Sequence, residues 1–267
     1  MDKLLFLSSI KLKSTAENNP DFPFSLPVIR NLGVLEFTSP VTIFIGDNGT
    51  GKSTLMEGMA AGLNLPTIGS DDVQYDDSLY QARKLSKKLT FVRSKIPKRG
   101  FFFRAEDFFG FTRRVARSNR EMGELEEEYS RTLSGYGRDL AVGMARGQRK
   151  SMTERYGEDP DAFSHGQNFL RVLQSRIVPG GLYLMDEPET PLSPLRQLSL
   201  LSILKAMVKQ DCQFIIATHS PILMAFPNAQ ILSFDGQSIA PIEYKEIEHV
   251  TLTRAFLNDP ESFLRRL

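Results

Sequence analysis

The run Val41-Thr42-Ile43-Phe44-Ile45 leads straight into Gly46-Asp47-Asn48-Gly49-Thr50-Gly51-Lys52-Ser53, and a helix-compatible segment, Thr54 to Leu63, follows. The octapeptide satisfies G-x-x-x-x-G-K-[ST] in full, between a strand and a helix, which is the setting its chemistry needs. Glycines let the backbone wrap closely, so that its N–H groups point at phosphate oxygens, and the following helix adds the partial positive charge of its N-terminus. Contacts to a nucleotide are expected from Gly46, Asn48, Gly49, Thr50, Gly51, Lys52, Ser53 and Thr54. The Lys52 ammonium would reach the β- and γ-phosphates, and the Ser53 hydroxyl would sit on Mg²⁺.

Three further segments carry chemistry. Leu182-Tyr183-Leu184-Met185-Asp186-Glu187 ends an apolar run in an acidic pair, and ligands of such sheets sit at the carboxyl ends of strands. Asp186 is expected to hold Mg²⁺ through water, and Glu187 to orient and deprotonate an attacking water. Alone, the pair is equally an ordinary strand-to-loop transition; the phosphate loop decides between the two. His219 closes Ile215-Ile216-Ala217-Thr218-His219, where it could reach a γ-phosphate oxygen or the attacking water. Phe163-Ser164-His165-Gly166-Gln167 precedes a helix-compatible run, Asn168 to Arg176. Ser, Gly and a helix N-terminus together offer a second anion-binding surface, although Ser-x-Gly turns are common at helix starts.

Continuous apolar runs of this length suit central parallel strands covered on both faces. Helix-length segments lie between them, such as Leu195 to Lys209 with Leu198, Leu201, Leu204 and Met207. The fold class is therefore α/β with a mainly parallel central sheet. From about residue 106 to 170 the composition shifts to Arg, Glu, Met and Ser without a β-rich run, which reads as a helical insertion in one domain spanning 1–267. Within it, Glu124 to Tyr129 and the basic Arg113, Arg114, Arg117 and Arg120 read as solvated helix faces rather than partner patches. Phe101, Phe102, Phe103, Phe108, Phe109 and Phe111 read as core beneath the insertion, with a partner-binding patch as the alternative. Asp235-Gly236 marks a hairpin between Ile231–Phe234 and Ile239–Ile242.

With 33 basic and 32 acidic residues, global charge gives no reason to expect a nucleic-acid or membrane-surface binder. The single Cys212 lies beside an apolar run and reads as a buried, reduced thiol. No stretch approaches the ~18 apolar residues of a membrane span, so a cytoplasmic protein without membrane insertion is expected.

The four segments, in this order, resemble the nucleotide-binding domain of the ABC ATPase superfamily. Gly46 to Ser53 match its Walker A, Leu182 to Glu187 its Walker B with the catalytic glutamate, Phe163 to Gln167 its signature LSGGQ, and His219 its switch histidine. The resemblance implies a P-loop NTPase fold with an antiparallel β part beside the parallel sheet, and it implies ATP and Mg²⁺ as ligands. It also implies hydrolysis by Lys52, Glu187 and His219 in a head-to-tail homodimer. There Ser164, Gly166 and Gln167 of one copy close over the ATP of the other. Two departures stand out: Ser193 replaces the D-loop aspartate, and Glu106, with Arg104 second, takes the Q-loop place and its metal contact. Both liken the chain to stand-alone soluble ABC-type ATPases, often labelled AAA family ATPases, which act on a protein or nucleic-acid partner. A transporter's ATP-binding subunit and a non-hydrolysing nucleotide sensor are the alternatives.

Overall fold

In a parallel strand covered on both sides, alternate side chains fill different cores, so every position is apolar. The computed structural model describes residues 5–14, 20–68, 79–156 and 165–265, without the side chains of residues 109, 111–116, 152, 154–156 and 165–168. Its strands are β1 (Leu7–Leu12), β2 (Val34–Glu36), β3 (Val41–Ile45), β4 (Thr67–Ile68), β5 (Leu89–Arg93), β6 (Arg99–Arg104), β7 (Gly181–Asp186), β8 (Gln213–Ala217), β9 (Gln230–Ser233) and β10 (Ala240–Pro241). Its helices are α1 (Pro27–Arg30), α2 (Lys52–Leu63), α3 (Tyr80–Ser86), α4 (Ala105–Thr132), α5 (Gly135–Tyr156), α6 (His165–Arg176), α7 (Pro194–Lys209), α8 (Pro221–Met224), α9 (Glu248–Asn258) and α10 (Pro260–Leu264).

The central sheet has the order β10-β9-β3-β8-β7-β6-β4. All its neighbours are parallel except β10, which turns back antiparallel on β9 as the Asp-Gly hairpin predicts. A second, antiparallel sheet runs β2-β1-β5. The alternation is visible residue by residue. Phe44, Phe102, Leu182, Leu184, Ile215 and Ala217 face a core shared with α2 and the antiparallel sheet. Phe101, Phe103, Tyr183, Met185, Phe214 and Ile216 face the opposite core, where Phe108 of α4 and Phe169 of α6 pack. A Phe buried in this way contributes roughly 1.5–3 kcal/mol relative to an exposed one. The core reading of Phe101, Phe102, Phe103 and Phe108 is what the structure shows, while the side chains of Phe109 and Phe111 fall outside the described set.

Two glutamines join the sheets. Gln213, buried at the start of β8, accepts from Leu7 N–H and donates to Leu7 C=O of β1, both at 2.9 Å. Gln230 in β9 accepts from Thr38 N–H and donates to Glu36 C=O at the end of β2. Cys212 is buried and unpaired, as expected. Helix α7 starts at Pro194 and buries Leu200 and Leu204, whereas Leu198 of the anticipated stripe is half exposed. Its apolar residues exceed one face, so the 3.6-residue period does not single out the buried set. Among the described residues no helix is long and apolar enough to cross a membrane.

Candidate functional site

Register decides which side chains can meet. Across the sheet Phe44 pairs with Ala217, Ala217 with Asp186, and Asp186 with Arg104. These four residues form one level row at the carboxyl ends of β3, β8, β7 and β6. Immediately beyond that row lie Gly46 and the phosphate loop, His219, Glu187 and Glu106. The three motifs from distant parts of the chain are brought together by strand pairing alone.

The phosphate loop needs glycine at its ends for different reasons. Gly51 holds φ +103° as it turns into α2, a left-handed conformation open to glycine. At Gly46, φ is +140° and a Cβ would lie 2.9 Å from Asp235 Oδ1. Asp235 itself accepts from Asp47 N–H at 2.7 Å and from the Ser233 hydroxyl at 3.0 Å, so the β9–β10 hairpin braces the loop. Lys52, buried in the first turn of α2, donates to Gly46 C=O at 2.6 Å and Asp47 C=O at 2.9 Å. Burial lowers its pKa against the opposing pull of Asp186, Glu187, Asp235 and Asp47. Thr50 fixes the loop by donating to Asp47 C=O at 2.9 Å.

Asp186 is buried at the end of β7, and desolvation pushes its carboxyl up to about 7, against a hydrogen bond from Ser53 that favours the charge. Its Oδ1 is buried without a hydrogen-bond partner. Glu187 follows with φ +50°, a left-handed turn that costs a non-glycine residue roughly 1–3 kcal/mol. Its N–H donates to Ala217 C=O at 2.9 Å, continuing the β7–β8 ladder past the strand end. The half-exposed Glu187 carboxylate lies 3.9 Å from His219 Nε2. His219 Nε2 is buried with no hydrogen-bond partner, and burial, with Lys52 second, lowers the ring's pKa.

Residues 25–128 match a family model described as "AAA domain", and residues 168–225 match one described as "AAA domain, putative AbiEii toxin, Type IV TA system". The chain is 28% identical over 250 residues to the Cobalt import ATP-binding protein CbiO of Salmonella typhimurium, covering 86% of this chain and 83% of that protein. It is 28% identical over 196 residues to the Energy-coupling factor transporter ATP-binding protein EcfA2 of Streptococcus agalactiae, covering 67% of this chain and 60% of that protein. These matches liken the chain to ABC-type ATP-binding proteins and indicate an ATPase. Among solved structures the ATPase is similar to cbiO1 from Clostridium perfringens (TM-score 0.42, 15% identity, 98% of this chain and 100% of that one). It is also similar to the SMC head domain from Thermotoga maritima (TM-score 0.40, 17% identity, 90% and 100%).

Elsewhere the ATPase departs from, or adds to, what its motifs announce. Ser164 lies outside the described residues; the helix α6 begins at His165, three residues before the anticipated Asn168, so Gly166 and Gln167 fall in its first turn. The Glu106 side chain is 73% exposed, with Oε1 3.2 Å from Arg104 Nη1. Arg104 is the buried member of that pair. It bonds both oxygens of Asp107, at 2.7 and 3.0 Å, and approaches Glu57 of α2 at 3.4 Å. Burial alone would lower its pKa, but the three carboxylates outweigh burial and raise it. Glu57, one turn after Ser53, is pushed up by burial. Glu57, Asp235 and Glu189 are the site residues the motifs did not announce. For Glu189 the doubled acid of Asp-Glu-Pro-Glu was the only signal in the sequence.

Proposed function

We propose that this ATPase binds and hydrolyses ATP at the carboxyl ends of β3, β7 and β8, and that two copies arranged head to tail complete each site. One observation carries the reading. Of the six buried side-chain polar atoms that lack a hydrogen-bond partner among the described residues, three lie beside the phosphate loop: Asp186 Oδ1, Glu189 Oε2 and His219 Nε2. Buried polar groups are normally paired, so such a concentration marks a place built for a ligand.

In this reading the loop amides from Gly46 to Thr54 cradle the phosphates, and Lys52 turns from its two carbonyl acceptors to the β- and γ-phosphate oxygens. Ser53 and Asp186 fit Mg²⁺. The hard hydroxyl and carboxylate oxygens suit that ion, and Asp186 Oδ1 has no other partner. Bound there, Mg²⁺ would supply positive charge to the β- and γ-phosphate oxygens. Glu187 takes a proton from the attacking water as its oxygen bonds to the γ-phosphorus, the bond to the bridging oxygen breaks, and ADP leaves with that electron pair. His219 Nε2, next to Glu187, meets the same water or a γ-phosphate oxygen. Ser164, Gly166 and Gln167 act across the dimer interface, with residues 106–170 forming the helical subdomain that carries them. ATP then holds the two copies together, and hydrolysis releases them, acting on a protein or nucleic-acid partner in the cytoplasm.

Glu187→Gln should lose phosphate release by about 10²–10⁴-fold while retaining ATP. In light scattering the same variant should double its mass on adding ATP; a monomer at saturating ATP would refute the dimer. A second reading, the ATP-binding subunit of a membrane transporter, is favoured by the transport proteins CbiO and EcfA2 among its relatives. Recovery of the Glu187→Gln protein with membrane proteins rather than from the soluble fraction would select it.

A further inference from the structure

We infer that Glu189 is a positioning residue that sets His219 against Glu187, an inference that rests on the hydrolytic reading above. The backbone after Glu187 turns back on itself, with Thr190 N–H donating to Glu187 C=O at 3.1 Å and Leu192 N–H to Glu189 C=O at 2.7 Å. That turn sends the Glu189 side chain sideways across the sheet instead of out to solvent. Its Oε1 accepts the backbone N–H of His219 at 2.6 Å, thirty residues further along the chain. The hydroxyl of the fully buried Thr218 hydrogen-bonds the same carboxyl group. One side chain thus clamps the two residues that follow β8 to the loop that follows β7.

The clamp is needed at this point. The β7–β8 ladder stops at Glu187 N–H to Ala217 C=O, so no strand pairing reaches His219. On its other side Ser220 turns away to cap α8, accepting from Ile222 and Leu223 N–H. The Glu189 contact is thus what holds the His219 backbone to the Walker B loop, and with it the 3.9 Å separation of Nε2 from the Glu187 carboxylate. Glu189 Oε2 remains buried without a partner, so the carboxylate is kept in place at a desolvation cost that a purely packing residue would not carry.

Steady-state phosphate release and ATP binding test this in five variants. Glu189→Ala should lower kcat by about 10- to 100-fold, the scale of an ångström misplacement, with the ATP dissociation constant unchanged. Glu189→Gln, whose amide oxygen can still accept the His219 N–H, should recover most of that loss. In a His219→Ala background Glu189→Ala should cost nothing further. Wild-type turnover in Glu189→Ala, no recovery in Glu189→Gln, or the same fold-loss with and without His219 would each overturn the inference. Glu187→Gln separates the two readings: full turnover in that variant sinks the hydrolytic assignment itself, whereas its loss beside an active Glu189→Ala sinks only the positioning role.

Discussion

Asp186→Asn should free the nucleotide-free protein of a loss of stability that the wild type suffers as pH rises, although on the proposed reading it removes a metal-holding carboxylate. Asp186 is buried at the end of β7, and desolvation raises its carboxyl from 3.8 to about 7. The unfolded chain gives up this proton near 3.8 and the folded one only near 7, so stability falls as pH rises between those values and levels off above them. Between pH 5 and pH 8 that linkage amounts to about 2–3 kcal/mol lost by the wild type and not by the variant. Asparagine keeps an oxygen to accept from Ser53 but buries an amide where Oδ1 has no partner, which costs about 1–3 kcal/mol at every pH. That constant cost cancels when the difference between the two proteins is compared at two pH values. Urea unfolding at pH 5 and pH 8 measures it. Mg²⁺ with ATP should then stabilise the wild type more than the variant, because the ion favours the ionised carboxylate. A wild-type minus variant difference that does not change with pH would refute the reasoning.

Asp235→Ala removes the acceptor of Asp47 N–H and should raise the KM for ATP while costing about 1.5–3 kcal/mol of stability, checked by turnover and denaturant titration. Gln213→Ala leaves Leu7 N–H and C=O unpaired between the two sheets and should cost about 2 kcal/mol or more, read from the urea midpoint, with ATP affinity unchanged. His219 is neutral in the fold to below its ordinary 6.5, because burial and then Lys52 oppose its charge. Stability contributed by the neutral ring is therefore present above pH 6.5 and lost as pH falls below it, so His219→Gln should unfold less readily than the wild type near pH 5.5, and a larger wild-type stability there would contradict this.

What was legible in the sequence was whatever local chemistry forces. The glycine loop, the acidic pair and the histidine are each readable because a phosphate site demands those residue types next to strand ends. Continuous apolar strands announced the parallel sheet, since both faces are covered. Residues acting at a distance were not legible. Gln213 and Gln230 look like surface glutamines until the antiparallel sheet is laid against β8 and β9. Arg104 reads as a charge at the end of a Phe-rich strand, yet the fold buries it among Asp107, Glu106 and Glu57, the last contributed by α2. Glu189 binds a backbone N–H thirty positions away, a contact that depends on the turn after Glu187 and on no residue pattern.

The electrostatics of the site point in one direction. Burial is the leading cause at Lys52, Glu57, Asp186, Glu189 and His219, and in each it shifts the pKa towards the neutral form. The proposed hydrolysis would need the opposite at two of them: an ionised Asp186 for the metal and a charged Lys52 for the phosphates. Each of those charges is stabilised by what it would hold, the carboxylate by a divalent cation and the ammonium by an anion. Arg104 cannot supply the missing positive charge, since three carboxylates already surround it. On that reading metal and triphosphate would act together, because either one alone adds uncompensated charge to a buried row of strand ends. On the proposed reading, a complete Mg²⁺–ATP unit would favour the charged forms of Asp186 and Lys52 together, against the burial that disfavours each.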